Sequence, residues 1–189
     1  MTKTDEMLSG SILTEETILK ILREMSLYYD DMQVENRVIP AVAEAPLPTL
    51  VAVLEEDDQG RPRVLTNSFL PLEKEEAEFT VFLQFYMELP NPVPNLDRAT
   101  LLECLCRLNE RLPMGHCVLA APQPKFEQPE KFALRTVQGF PAGKTIDQGA
   151  FTEEVLLFDL SCDAVSRTVD ALNEGKTLDE ALALLEPET

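Results

Sequence analysis

The sequence predicts an α+β fold, a mainly antiparallel sheet with packed helices. Three observations carry this reading. Apolar residues recur at helical spacing in three well-separated segments. Between them lie short runs that alternate with a two-residue period. Those runs follow one another through short turns, which is how antiparallel strands are joined. The expected order is α-β-β-β-α-β-β-α, plus a final helical turn or two. It fills a single domain over residues 13–187 after a mobile N-terminal segment, 1–12. A chain of 189 residues with 44% hydrophobic content suits one such domain and buries roughly 70% of its unfolded surface.

Thr14 is placed to cap the first helix, whose apolar stripe is Ile18, Ile21, Leu22, Met25 and Tyr28 or Tyr29. Glu15 and Glu16 sit at the positive end of its dipole, and Asp30-Asp31 marks its end. Pro40, Pro46 and Pro48 then disfavour regular structure. Strands are expected at Thr49–Glu55 and Arg63–Phe69, joined by the turn Glu56-Asp-Asp-Gln-Gly60. An acidic stretch, Glu73-Lys-Glu-Glu-Ala-Glu78, precedes the longest strand, Phe79–Glu88. On it Phe79, Val81, Leu83, Phe85 and Met87 form a core face, and Thr80, Phe82, Gln84, Tyr86 and Glu88 form the other.

Leu89-Pro-Asn-Pro-Val-Pro-Asn95 breaks the strand, and Asn95 or Asp97 caps a second helix. Its stripe is Leu101, Leu105, Leu108 and Leu112, flanked by Leu102, and Pro113 and Gly115 end it. A strand at His116–Ala121, a proline-bearing loop at 122–130 and a strand at Lys131–Val137 follow. In the last helix Phe151, Val155, Leu156, Leu160, Val165, Val169 and Leu172 supply the stripe, and Asn173-Glu-Gly175 closes it. Thr177 and Glu180 form a capping box that opens a short terminal helix, with Leu182 and Leu185 turned inward.

The balance of 34 acidic against 16 basic residues gives a formal charge of −18. Such a field repels nucleic-acid phosphates and anionic lipid and attracts basic partners, so neither nucleic acid nor membrane is an expected partner. No apolar run approaches the ~20 residues needed to span a bilayer, and Met1-Thr-Lys-Thr-Asp-Glu6 reads as the approach to a helix with acids in its first turn, so no signal peptide is expected. Four irregularly spaced cysteines suit reduced thiols, so the expected location is cytoplasmic.

No motif assigns a catalytic residue. The one histidine, His116, neighbours Cys117 in a strand, where adjacent side chains point to opposite faces and cannot form a dyad. Gly143-Lys144-Thr145 ends like a phosphate-binding loop. That loop needs glycine at 138, where glutamine stands, and Pro141 removes an amide. The segment reads as a turn, and no cofactor is expected. Cys104 and Cys106 lie about 200° apart around a helix and cannot chelate one ion. Adding His116, Cys117 and Cys162 supplies no zinc-type spacing, and no metal is expected. Glu55-Glu-Asp-Asp58 and Glu75-Glu76 read as solvated faces without the calcium-loop pattern. A pair such as Asp147 with Glu153 does not rise above the acidic background.

Phe82 and Tyr86 are the candidate partner-binding residues, because they face away from the core set of the long strand; the alternative is that a helix covers this face too and makes them ordinary core. Leu105-Cys-Arg-Leu-Asn109 before a strand, Phe132-Ala-Leu-Arg135 followed by Phe140-Pro141, and Leu172-Asn-Glu-Gly175 running into Leu178-Asp-Glu-Ala181 carry a resemblance. Together the segments resemble the YbjN family, whose fold is similar to that of the type III secretion chaperones. The resemblance spans Thr14 to Leu185. It implies a small acidic cytoplasmic protein, a homodimer, that holds a segment of another protein without catalysing a reaction. The expectation is a non-enzymatic, chaperone-like module whose acidic rim favours a basic client. The alternative is an acidic immunity-type or regulatory protein that blocks a basic partner.

Overall fold

The computed structural model describes residues 13–42, 46–72, 79–122 and 129–185. The expected mobile segment 1–12, the acidic stretch 73–78, most of the 122–130 loop and residues 186–187 of the expected domain lie outside the described residues. The fold is α+β, as expected, with a six-stranded antiparallel sheet of order β1-β2-β3-β4-β6-β5 and four helices among the described residues. The elements are α1 (Glu15–Asp31), β1 (Glu35–Ile39), β2 (Thr49–Leu54), β3 (Arg63–Phe69) and β4 (Thr80–Glu88). They continue with α2 (Arg98–Asn109), β5 (His116–Ala120), β6 (Lys131–Pro141), α3 (Gln148–Asn173) and α4 (Leu178–Ala183).

One strand is additional to the expected order. β1 reads Glu-Asn-Arg-Val-Ile, too polar to announce itself by alternation, and its pairing with β2 makes it a strand, from Glu35↔Val53 to Ile39↔Thr49. It is a short, charged edge strand of the kind sheets use to end themselves. β4 begins one residue later than expected, which leaves Phe79 outside the core at 75% exposure. β6 runs on to Pro141, so Gln138-Gly139-Phe140 is strand and not turn.

The chain clusters into two compact units, the first comprising the chain up to Leu54, Val64–Tyr86 and Val137–Glu154. Here Thr14 caps α1 by accepting from the Thr17 amide at 3.1 Å, and Ile18, Leu22, Met25 and Tyr29 are its buried face. The core is built around Phe151 in the first turns of α3. Its ring lies edge-on to Tyr29 at 5.2 Å and tilted against Tyr28 and Phe85 at 5.8 and 5.9 Å. Aromatic contacts of this geometry add about 0.5–1.5 kcal/mol each beyond area burial. Both tyrosines also find polar partners. The Tyr29 hydroxyl donates to Asn67 Oδ1 at 2.8 Å inside the core, and that of Tyr28 donates to the Ile146 carbonyl at 2.9 Å. Burial pushes the Tyr29 phenol far above its ordinary pKa despite the Asn67 bond. Asp147 Oδ1 accepts from the Ala150 amide at 2.9 Å and so opens α3 immediately before Phe151.

The second unit comprises Glu55–Arg63, Met87–Thr136 and the chain from Val155 onward. Asp97 caps α2 by accepting from the Ala99 and Thr100 amides, and Leu101, Cys104, Leu105 and Leu108 are buried. At its end Asn109 acts as a substitute strand. Its Nδ2 donates to the Cys117 carbonyl at 3.1 Å, and its Oδ1 accepts from the Cys117 amide at 2.7 Å. Gly115 has φ +75°, and a Cβ there would lie 3.0 Å from the Arg135 carbonyl oxygen.

The stripe of α3 differs from expectation. Val155, Phe158, Cys162, Val165, Val169 and Leu172 are buried, whereas Leu156 and Leu160 are 56% and 57% exposed. With Phe151 and Val155 turned inward, the next inward positions at steps of three and four are 158 and 162, which leaves 156 and 160 on another face.

Two arginines tie loop to helix in this unit. Arg61 pairs with Asp57 at 2.7 Å and bidentately with Asp170 at 2.6 and 3.0 Å, and Asn91 Nδ2 joins Asp170 at 2.8 Å. Arg63, 3% exposed, lies 2.6 Å from Asp163 and 3.0 Å from Asp159 and donates to the Glu55 carbonyl at 2.7 Å. Burial of Asp57 opposes ionisation. The donors from the Arg61 backbone and side chain and the Gln59 amide outweigh it and hold the carboxyl below its ordinary value.

Phe151→Ala is expected to lower unfolding free energy by about 3–5 kcal/mol in urea titrations, the usual cost of deleting a buried phenylalanine. Because the folded-state pKa of Asp57 is depressed, its contribution is complete above the ordinary aspartate value of about 3.9 and disappears as pH falls through the folded value. Urea midpoints of the wild type and Asp57→Asn should therefore differ most near neutrality and converge only as the pH falls through the depressed folded-state value.

Candidate functional site

The site is built on β4 within the first unit. Val81, Leu83 and Phe85 alternate inward and are buried, while Thr80, Phe82, Gln84 and Tyr86 alternate outward and are half-buried. The inward side is where helices attach, since Tyr29 of α1 bonds Asn67 of β3 and Phe151 of α3 packs on Phe85. The outward side is lined by neighbouring strands. β3 lies alongside with Thr66↔Tyr86 and Ser68↔Gln84 in register, and the Thr66 hydroxyl turns back to donate to the Tyr86 carbonyl at 2.9 Å. Val53 of β2, Val64 of β3 and Val137 of β6 are exposed on this unit, and Val51 is half-buried. On β1 Arg37 pairs with Val51 and Glu35 with Val53, which sets one charge of each sign beside the valines.

Gly139 of β6 explains how Phe82 is seated. A Cβ at this glycine would stand 3.1 Å from Thr80 Cγ2 and 3.5 Å from Phe82 Cε1. The ring therefore lies along backbone that carries no side chain, an arrangement that shields a strand glycine and holds the aromatic flat. Both candidate residues are thus on the same strand face. Successive same-face residues rise ~6.6 Å along a strand, so the two rings stand about 13 Å apart. The face offers aromatic and aliphatic contact with one phenol.

The other candidates are dispersed. His116 is exposed and Cys117 buried, on opposite faces of β5 as the alternation requires. Gly143, at φ +73°, sits in a tight turn closed by the Lys144 amide donating to the Pro141 carbonyl, and α3 opens only at Gln148. A pocket of about 140 Å³ beside this turn is lined by Lys20, Lys144 and Glu24 with Leu13 and Val81, a mixture of both charges and apolar wall. Asp147 is committed to capping α3. Among the described residues, no group of three or more His, Cys, Asp or Glu is placed to hold a metal ion, and no helix is long and apolar enough to cross a membrane.

No protein-family model, curated protein or solved structure matches this chain. The site accordingly rests on its own geometry. Gly139 and the flanking valines are what sequence reasoning missed. The run Thr49–Leu54 is apolar on both faces, so alternation could not sort Val51 and Val53 from Leu50, Ala52 and Leu54. Gly139 stood inside a segment read as a turn.

The cysteines separate by burial. Cys106 is exposed, whereas burial pushes the thiol of Cys104 up to about 11, that of Cys117 up to about 12, and that of Cys162 higher still. A disulfide reagent at pH 8 should titrate one thiol rapidly in the folded protein and four in denaturant. Loss of the fast phase in Cys106→Ser would confirm the assignment.

Proposed function

We propose that the chain is a non-enzymatic, chaperone-like protein-binding module that holds an extended segment of a client across the outward face of β4. The observation that carries this reading is the pair Phe82 and Tyr86, held on one face with Phe82 seated over Gly139 and valines on either side. Apolar burial supplies the affinity. The formal charge of −18 speeds encounter with a segment flanked by Lys or Arg. Ring spacing of about 13 Å matches apolar client residues four positions apart in an extended strand. Four free cysteines suit a cytoplasmic setting. The resemblance to the YbjN family points the same way.

A display library of 12-residue peptides tests the reading. Enrichment of segments with apolar or aromatic residues four apart and basic flanks is expected. Affinity should fall at least tenfold in the double variant Phe82→Ala with Tyr86→Ala. Gly139→Val gives a second arm, because its side chain would crowd Thr80 and Phe82 and displace the ring from its seat. Binding by apolar contact should change little between low and physiological salt. Enriched peptides that bind the double variant unchanged would sink the proposal. A purely basic enrichment that vanishes at physiological salt would replace it with the acidic-inhibitor reading.

A further inference from the structure

Two lysines, Lys20 of α1 and Lys144 of the turn after β6, line one pocket of about 140 Å³ within the first unit. Thr17, Lys20, Ile21 and Glu24 are spaced by three and four along α1, so they present a single helix face to it. Leu13, Ile21, Val81 and Ala142 supply an apolar wall, and Leu13 and Val81 are buried. On a chain with 34 acidic residues to 16 basic ones, carboxylate partners are plentiful. Both lysines are nevertheless exposed, and among the described residues neither makes an ion pair. The turn leaves donors over as well. The amides of Ala142 and Lys144 donate to the Phe79 and Pro141 carbonyls at 2.8 and 3.2 Å. Those of Gly143 and Thr145, which also line the pocket, donate to no backbone carbonyl among the described residues.

We propose that this pocket binds a small organic monocarboxylate, one carboxylate carried on a single ring or a short branched chain. Charge decides the head group. Lys20 and Lys144 against Glu24 leave one net positive charge, which a carboxylate balances and a phosphate dianion exceeds. Lysine ammonium groups and unpaired turn amides are the donors that a carboxylate accepts from. Size decides the rest of the molecule. An apolar cavity of about 150 Å³ holds one benzene ring, so a ring of that size matches the apolar wall. Sites for larger ligands run to roughly 300–1,000 Å³, which leaves a nucleotide without room here. The pocket is also independent of the outward face of β4, because Val81 alternates inward.

Benzoate titrated into the full chain, followed by amide NMR spectra, tests this. Saturable shifts are expected at Gly143, Lys144 and Thr145 and on α1 at Lys20 and Glu24. A Kd in the sub-millimolar to millimolar range suits so small a ligand. Lys20→Ala and Lys144→Ala should each weaken binding about tenfold, the scale of a lost charged hydrogen bond. Their urea midpoints should match the wild type, because both side chains are exposed. Acetate, which keeps the carboxylate and lacks the ring, should bind at least tenfold more weakly than benzoate. Glu24→Gln should admit phenyl phosphate, which the wild type excludes. Absence of saturable shifts at the turn would overturn the proposal, as would benzoate binding indifferent to both lysine variants. Acetate binding as tightly as benzoate would remove the apolar wall from the site. ATP or phenyl phosphate binding the wild type more tightly than benzoate would assign the pocket to phosphates instead, and the carboxylate reading would fall.

Discussion

Phe151 decides more about this protein than any other side chain. Its position in the first turns of α3, inside the aromatic group of Tyr28, Tyr29 and Phe85, fixes where that helix begins against α1 and β4. In the second unit the residues of this helix that are buried are Phe158, Cys162, Val165 and Val169, while Leu156 and Leu160 are exposed.

Polar constraints support the apolar ones. A buried guanidinium is costly unless its donors are matched. Arg63 meets that condition with two carboxylates and a backbone carbonyl, and the half-buried Arg61 pairs with Asp57 and with Asp170, the latter also held by Asn91. These networks join the segment after β2 to the middle of α3, and Asn91 anchors the proline-rich segment after β4 to the same helix through the Ser166 hydroxyl and carbonyl. On a chain this acidic, basic side chains are scarce, and one of them, Arg63, is buried.

Much of this was legible in the sequence where a strong periodic signal coincided with a cap. Thr14, Asp97 and the Thr177–Glu180 box all cap the helices they announce, and the alternation of β4 sorts Val81, Leu83, Phe85 and Met87 from Phe82 and Tyr86 correctly. Legibility failed where the determining partner was distant. β1 is a strand only because β2 lies beside it, and Phe79 is excluded from the core only because the β4 ladder starts at Thr80. The α3 stripe offered two phases of similar apolar content, and tertiary packing rather than periodicity chooses between them. The candidate face was half visible. Its aromatics were read from alternation, but the glycine beneath Phe82 belongs to a strand whose length is set by tertiary pairing.

The side chain of Asn109 has a further consequence. β5 is an outer strand of the sheet, and the Cys117 amide and carbonyl are exchanged with one carboxamide. One pair of backbone groups that could template another chain is thereby occupied from within. At the other margin, β1 is five residues long and presents Glu35 and Arg37. Short, charged or internally capped margins of this kind work against the addition of further strands.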